Sequence, residues 1–294
     1  MSGYNNPVLV GADPFVFLYD GVYYHYATDA PDGYYVYSST DLKEWKKLGY
    51  GLKKGDVKGE KWFWAPEILE AGGKFYMAYT ADEHLGMAVS DSPAGPFAQK
   101  EKRFMSERCA IDGDFLVDDD GAVYLYYVRF DGGNVIYGTR LADSPADLAQ
   151  RVDTLSIDDE TRLLEVEDKY PWETIDGRVA EGPFVLKHAW KYYLTYSANG
   201  YTCQDYAIGY AVSDSPLGPF VKYESNPILR RSDKLVGIGH HSFTTSKDGK
   251  KLICVYHCHN SLDRIHPRLT CFDDAYFMDS VLHIEGPTYG KEDD

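Results

Sequence analysis

Apolar and polar positions alternate along this chain in short runs, and the runs recur. The first unit reads Ala12-Asp13-Pro14-Phe15-Val16-Phe17-Leu18, a turn at Tyr19-Asp20-Gly21, then Val22-Tyr23-Tyr24-His25-Tyr26-Ala27. Period-2 alternation broken by Asp/Gly turns predicts antiparallel strands, and the chain has almost no helical periodicity. Related units start at Ala65-Pro66-Glu67-Ile68, Ile111-Asp112-Gly113-Asp114-Phe115, Ala180-Glu181-Gly182-Pro183-Phe184 and Gly239-His240-His241-Ser242-Phe243. Two of them close on almost the same words, Asp91-Ser92-Pro93-Ala94-Gly95-Pro96-Phe97 and Asp214-Ser215-Pro216-Leu217-Gly218-Pro219-Phe220.

Five repeats, each on the order of 50 residues, predict an all-β, five-bladed β-propeller with blades of about four antiparallel strands. The expected blades cover residues 7–60, 61–108, 109–175, 176–235 and 236–290 of a single domain spanning 1–294. The first strand of each blade lies nearest the axis, so the residues that lead these strands converge at one end of the channel. Three repeats offer a carboxylate there: Asp13, Asp112 and Glu181. Alone, an acid at a strand start usually satisfies turn amides. Three at converging positions point to chemistry instead.

Composition narrows the partner. The net charge of −16 excludes nucleic acid and an anionic membrane surface as natural partners and leaves a neutral substrate. The 26 tyrosines suit both strands and stacking against sugar faces. The first residues lack a basic and apolar leader, and no run is long enough to span a bilayer. Cys109, Cys203, Cys254, Cys258 and Cys271 are an odd, scattered set, expected to be reduced thiols in a cytoplasmic protein. A monomer or weak oligomer is expected.

Some motifs carry less than they promise. In Cys254-Val255-Tyr256-His257-Cys258-His259, strand alternation sends the thiols one way and the imidazoles the other, so four ligands cannot converge on zinc. Asp118-Asp119-Asp120-Gly121 reads as a hairpin turn. Residues 153–173 read as a charge-rich excursion between blades, and the Glu292-Asp293-Asp294 tail as solvated.

Taken in order, Ala-Asp-Pro-Phe at 12–15, Trp-Ala-Pro-Glu at 64–67, Ile-Asp at 111–112 with Asp-Asp-Asp-Gly at 118–121, Glu-Gly-Pro at 181–183 and Gly-His at 239–240 resemble glycoside hydrolase family 43 over nearly the whole chain. The resemblance implies an inverting glycosidase. Asp13 would be the general base, Glu181 the general acid, and Asp112 the carboxylate that orients the acid and raises its pKa. It places His240 near an axial metal ion, usually calcium, and sets Arg268 against the acid and the sugar. Phe15, Trp64 and His241 are candidate substrate contacts, and Phe184 a weaker one. Ionisation of Asp13 calls for a wetter, better hydrogen-bonded place than that of Glu181.

The expected activity is an exo-acting α-L-arabinofuranosidase working on arabinose- or xylose-containing oligosaccharides. A β-D-xylosidase, alone or as a second activity, is the runner-up, partly because no C-terminal β-sandwich follows the repeats. A non-catalytic glycan-binding propeller is the reading from another class. Such a module has no need of three acids at the leads of inner strands.

Overall fold

A computed structural model describes residues 3–290. Five small antiparallel sheets stand in a ring as a five-bladed β-propeller. Blade one holds strands Ala12–Tyr19, Val22–Thr28, Gly33–Ser39 and Lys46–Lys53. Blade three holds Ile111–Val117, Val123–Phe130, Asn134–Ala142 and Thr161–Leu164. Blade four holds Ala180–His188, Lys191–Ala198, Ala207–Ser213 and Val221–Lys222.

Two blades depart from four strands. Blade two has three, Trp64–Ala71, Lys74–Ala81 and His84–Ser90. Part of its open edge is covered by a loop, with Val89 and Ala98 exchanging backbone hydrogen bonds of 2.9 and 3.0 Å. Blade five has five: Gly239–Thr245, Leu252–Cys258, Leu269–Met278, Val281–Ile284 and the N-terminal pair Leu9–Val10, which pairs with Leu269–Thr270. The chain's beginning therefore closes its last blade, and residues 9–10 leave the first blade expected for 7–60.

The excursion at 153–173 is also more ordered than its charge suggested. It carries the outer strand of blade three, Thr161–Leu164, between one-turn helices at Val152–Thr154 and Pro171–Glu173. A short α-helix, Pro145–Arg151, precedes it, with the Ser144 side chain accepting from the Asp147 amide as N-cap. The 118–121 segment is the turn between Ile111–Val117 and Val123–Phe130, as expected. The 292–294 tail lies outside the described residues.

The hydrophobic cores sit between blades. One joins blades one and two through Phe15, Tyr26, Phe75 and Met77; another joins three and four through Tyr126, Val128, Leu194 and Tyr196. Tyrosine suits this seam because its ring fills space while its hydroxyl satisfies a backbone group. Tyr26 donates to the Pro93 carbonyl, and Tyr126 donates to the Pro216 carbonyl at 2.8 Å. The duplicated Ser-Pro-x-Gly-Pro-Phe words are thus a repeated tie between neighbouring blades.

Candidate active site

Each inner strand is broken at the same place. The ladder between first and second strands skips from Ala12 to Phe15, Trp64 to Glu67, Ile111 to Asp114, Glu181 to Phe184 and Gly239 to Ser242. In each bulge the second residue is left-handed: Asp13 (φ 51°), Ala65 (44°), Asp112 (58°), Gly182 (54°) and His240 (45°). For a non-glycine residue this conformation costs about 1–2 kcal/mol, so something must hold it.

The holder comes from the second strands. The residues paired with Ala12, Trp64, Ile111, Glu181 and Gly239 are Thr28, Thr80, Val128, Ser197 and His257. Thr28 Oγ1 accepts from the Ala65 amide (3.0 Å), Thr80 Oγ1 from Asp112 (3.3 Å), Ser197 Oγ from His240 (2.8 Å) and His257 Nδ1 from Asp13 (3.2 Å). Each blade caps the strained amide of the next. Blade three breaks the rule, because Val128 cannot accept. There Asp112 Oδ2 accepts from the Gly182 amide at 3.2 Å instead. The third acid is thereby tied to the residue next to Glu181.

This register corrects one expectation. Asp13 and Asp112 share the second bulge position, but Glu181 stands at the first, beside Trp64 and Ile111 in the alignment of blades. The mouth of the channel is a cavity of about 160 Å³ lined by Asp13, Trp64, Ile111, Asp112, Glu181, Tyr201, His240 and Arg268. Trp64 forms a wall, as expected, with Trp62 stacked on it at 5.8 Å.

Phe15 and His241 do not reach this cavity. Phe15 is buried in the core between blades one and two, its ring stacked on Phe17 at 6.5 Å. His241 sits one residue deeper in its bulge and bonds Thr195 Oγ1 at 2.7 Å. Phe184 packs on Phe243 with the rings tilted by 58°. At the third and fourth bulge positions side chains turn to the axis and the blade seams. Glu67 accepts from the Phe115 amide (2.8 Å) and Asp114 from the Val185 amide (2.9 Å), so these two acids staple blades together.

Arg268 is in the site, but its partner is Asp13. Its Nη1 lies 2.7 Å from Asp13 Oδ1, and its guanidinium rests over the Tyr201 ring at 4.3 Å. Thr28 donates to Asp13 Oδ2 at 2.7 Å, and His240 Nδ1 and His257 Nδ1 each lie 3.3 Å from Oδ1. Asp13 is 7% exposed, so its place is not wetter. Burial raises its pKa, but the Arg268 charge, with His240 next, outweighs burial and holds it well below the usual carboxylate range. Burial pushes His257 down to about 3, with Arg268 adding to the effect, which leaves a neutral ring able to accept from the Asp13 amide.

Glu181 is 9% exposed and its two hydrogen-bond partners among the described residues are both neutral. Its oxygens accept from Tyr206 Oη (2.9 Å) and Asn134 Nδ2 (2.8 Å). Burial pushes its pKa up to about 7, with the charge of Asp13 adding and the two donors and Arg268 opposing. Burial, then the charges of Glu181 and Asp13, raise Asp112 well above the carboxylate range. The surroundings thus pull Asp13 down and push Glu181 and Asp112 up across a pocket of about 160 Å³.

The donors fit an axial calcium ion poorly. Among the described residues no three His, Cys, Asp or Glu side chains are grouped to hold a metal. His240 is a nitrogen donor turned to Asp13, whereas calcium takes six to eight oxygens.

Sequence reasoning missed His257, Thr28, Tyr206, Asn134 and Tyr201. His257 was visible as half of the alternation at 254–259: Cys254 and Cys258 are buried in the core and His257 faces the site. Tyr206 and Asn134 fall outside the recurring words that lead the inner strands and carry no such signal.

Two buried carboxylates with oppositely shifted pKa values facing one pocket are what glycoside hydrolysis asks of a site. The sequence profile of glycosyl hydrolases family 43 matches residues 4–279, and the chain belongs to that family. The crystal structure of an endo-1,4-β-xylanase from Bacteroides thetaiotaomicron superposes with a TM-score of 0.88 at 39% identity, covering 96% of each chain. A β-D-galactofuranosidase of Aspergillus niger is 28% identical over 94% of this chain and 82% of its own. An extracellular exo-α-(1→5)-L-arabinofuranosidase of Streptomyces avermitilis is 27% identical over 86% of this chain, which spans only 55% of that protein. Other curated relatives are xylosidases and combined xylosidase/arabinosidases.

Proposed function

We propose that this glycosidase is an inverting, exo-acting α-L-arabinofuranosidase that releases terminal arabinose from arabinan or arabinoxylan oligosaccharides. The observation that carries the reading is the small pocket in which Asp13 meets a guanidinium while Glu181 meets only neutral donors. Asp13 takes a proton from a water as that water attacks the anomeric carbon. Glu181 gives its proton to the departing glycosidic oxygen, which keeps the bonding pair. Asp112, bonded to the Gly182 amide, fixes the backbone that carries Glu181. Arg268 fixes Asp13, and Trp64 offers its ring to the sugar face. The small volume of the pocket, about 160 Å³, supports removal of one terminal sugar over cleavage inside a chain.

A β-D-xylosidase activity is the second reading, favoured by the xylose-directed name of the solved structure at 39% identity. The same proposal puts the protein in the cytoplasm. Its support is the cysteines, none disulfide-bonded among the described residues, with Cys258 and Cys271 Sγ 3.6 Å apart.

The test is hydrolysis of 4-nitrophenyl α-L-arabinofuranoside, β-D-xyloside and β-D-galactofuranoside, with Asp13→Ala as control and the product anomer read by NMR. Arabinose released with inverted configuration, and lost in the variant, is expected. Preference for either other sugar reassigns the substrate. Retention of configuration overturns the mechanism.

A further inference from the structure

Glu181 has both oxygens bonded by neutral donors from two different blades. Neither donor belongs to the fivefold set of caps that holds the bulges. Asn134 opens the third strand of blade three, and Tyr206 precedes the third strand of blade four.

Both are seated by glycines. Gly133 has φ +145°, and a Cβ there would lie 2.3 Å from the Arg178 carbonyl. That close approach lets the Asn134 amide donate to Arg178 O at 2.9 Å, which sets Asn134 beside blade four. Tyr206 stacks on His257 at 5.6 Å. A Cβ on Gly239 would lie 2.2 Å from its ring, so only glycine leaves the space. These seats are built before any substrate arrives, and the Tyr206 hydroxyl has Glu181 as its hydrogen-bond partner.

A general acid ends its step as a carboxylate. Its O–H bond breaks, an O–H bond forms on the leaving oxygen, and one negative charge is left in a buried site. Burial penalises that charge, while donors aimed at the two oxygens offset the penalty. Without them Glu181 would be a weaker acid, slow to protonate a poor leaving group. We propose that Tyr206 and Asn134 are positioning residues that make Glu181 strong enough to protonate an unactivated glycosidic oxygen. This rests on the acid role proposed above for Glu181.

Other charged or titratable groups also face Glu181 or share its pocket. They are Asp13 from blade one, Asp112 from blade three, Tyr201 from blade four, and His240 and Arg268 from blade five, with His257 behind the Tyr206 ring. Neither substitution below removes any of them.

The experiment uses the full chain and the sugar it hydrolyses best, with methyl and 4-nitrophenyl leaving groups. Tyr206→Phe keeps the ring on His257 and removes only the donor. The expected result is a roughly tenfold fall in kcat/KM on the methyl glycoside, with the aryl glycoside much less affected. The alkaline limb of kcat/KM moves up by about one pH unit, because losing a donor to the charged form raises the pKa. Asn134→Ala, at a half-buried position, moves both readouts the same way and serves should Tyr206→Phe misfold. Equal losses on both leaving groups with an unmoved limb overturn the inference and leave Tyr206 and Asn134 as packing. Glu181→Gln is run beside them. If it spares the methyl glycoside as much as the aryl one, the acid role itself falls; if it does not, an unmoved Tyr206→Phe profile counts against the positioning alone.

Discussion

Asp13 and Glu181 line one pocket and are buried to nearly the same degree, 7% and 9% exposed, yet their pKa values move in opposite directions. The difference is in the neighbours. The base side, where blades five and one meet, brings a guanidinium, two imidazoles and a hydroxyl to Asp13. The acid side, where blades three and four meet, brings a phenol and an amide to Glu181. Burial alone would raise both carboxylates. Only a full positive charge at hydrogen-bond distance reverses the sign, because an ionic donor bonds a carboxylate about twice as strongly as a neutral one.

The largest effect comes from breaking the base side. Asp13→Asn removes the proton acceptor and leaves Arg268 facing a neutral amide. We expect kcat to fall by about 10³-fold or more, alike on aryl and natural leaving groups, since both need activated water. Steady-state rates on the two substrates check this; a variant that keeps wild-type turnover of the aryl glycoside removes Asp13 from the chemistry.

Breaking the acid side is next, and its effect is selective. Glu181→Ala should cost about 10²–10⁴-fold on an oligosaccharide and far less on a 4-nitrophenyl glycoside, whose leaving group needs little protonation. The same contrast sets the pH profile. Glu181 must be protonated, so kcat/KM falls as pH rises through about 7. Asp13 must be ionised, so the acid limb lies below the usual carboxylate range, where falling pH finally protonates it. Two limbs both near pH 4–5, as for ordinary carboxylates, would show that the neighbours do not divide the pair.

The repeats made the fold and the three acids legible in the sequence. The bulged inner strand is a local signal, written five times in words such as Ala-Asp-Pro-Phe and Glu-Gly-Pro-Phe. What divides the acids was not legible. Arg268 reaches Asp13 across 255 residues and His257 across 244, through the closure of the ring between the last and first blades. No local pattern reports which acid an arginine will meet, so Arg268 was expected beside Asp112 or Glu181. The one-residue offset of Glu181 was readable in principle, by aligning Gly182 with Asp13 and Asp112 as the left-handed position. Phe15 and His241 line a smaller cavity beside Asp13 and Asp112 and not the mouth, because the bulge turns its later positions inward.

A smaller effect sharpens the base side further. Thr28 does two jobs with one hydroxyl, donating to Asp13 and accepting from the Ala65 amide. Thr28→Val keeps the shape and loses both bonds. A fall of roughly tenfold in kcat is expected, the worth of one hydrogen bond to a charged group. Thr28→Ser should restore most of it. Equal activity of the two variants would mean that the hydroxyl holds nothing that catalysis needs.

The smallest effect separates the comparison from the axial ion. If the charge state of Asp13 comes from Arg268 and the imidazoles, no metal is needed to keep it ionised. Calcium would have to compete for His240, which already faces Asp13, and would find no group of three acidic or imidazole side chains among the described residues. EDTA treatment with verified metal removal should therefore leave both kcat and the acid limb where they were. A fall that added calcium reverses, with the acid limb displaced toward neutral pH, would hand part of Arg268's task to an ion and restore His240 to its expected place beside it.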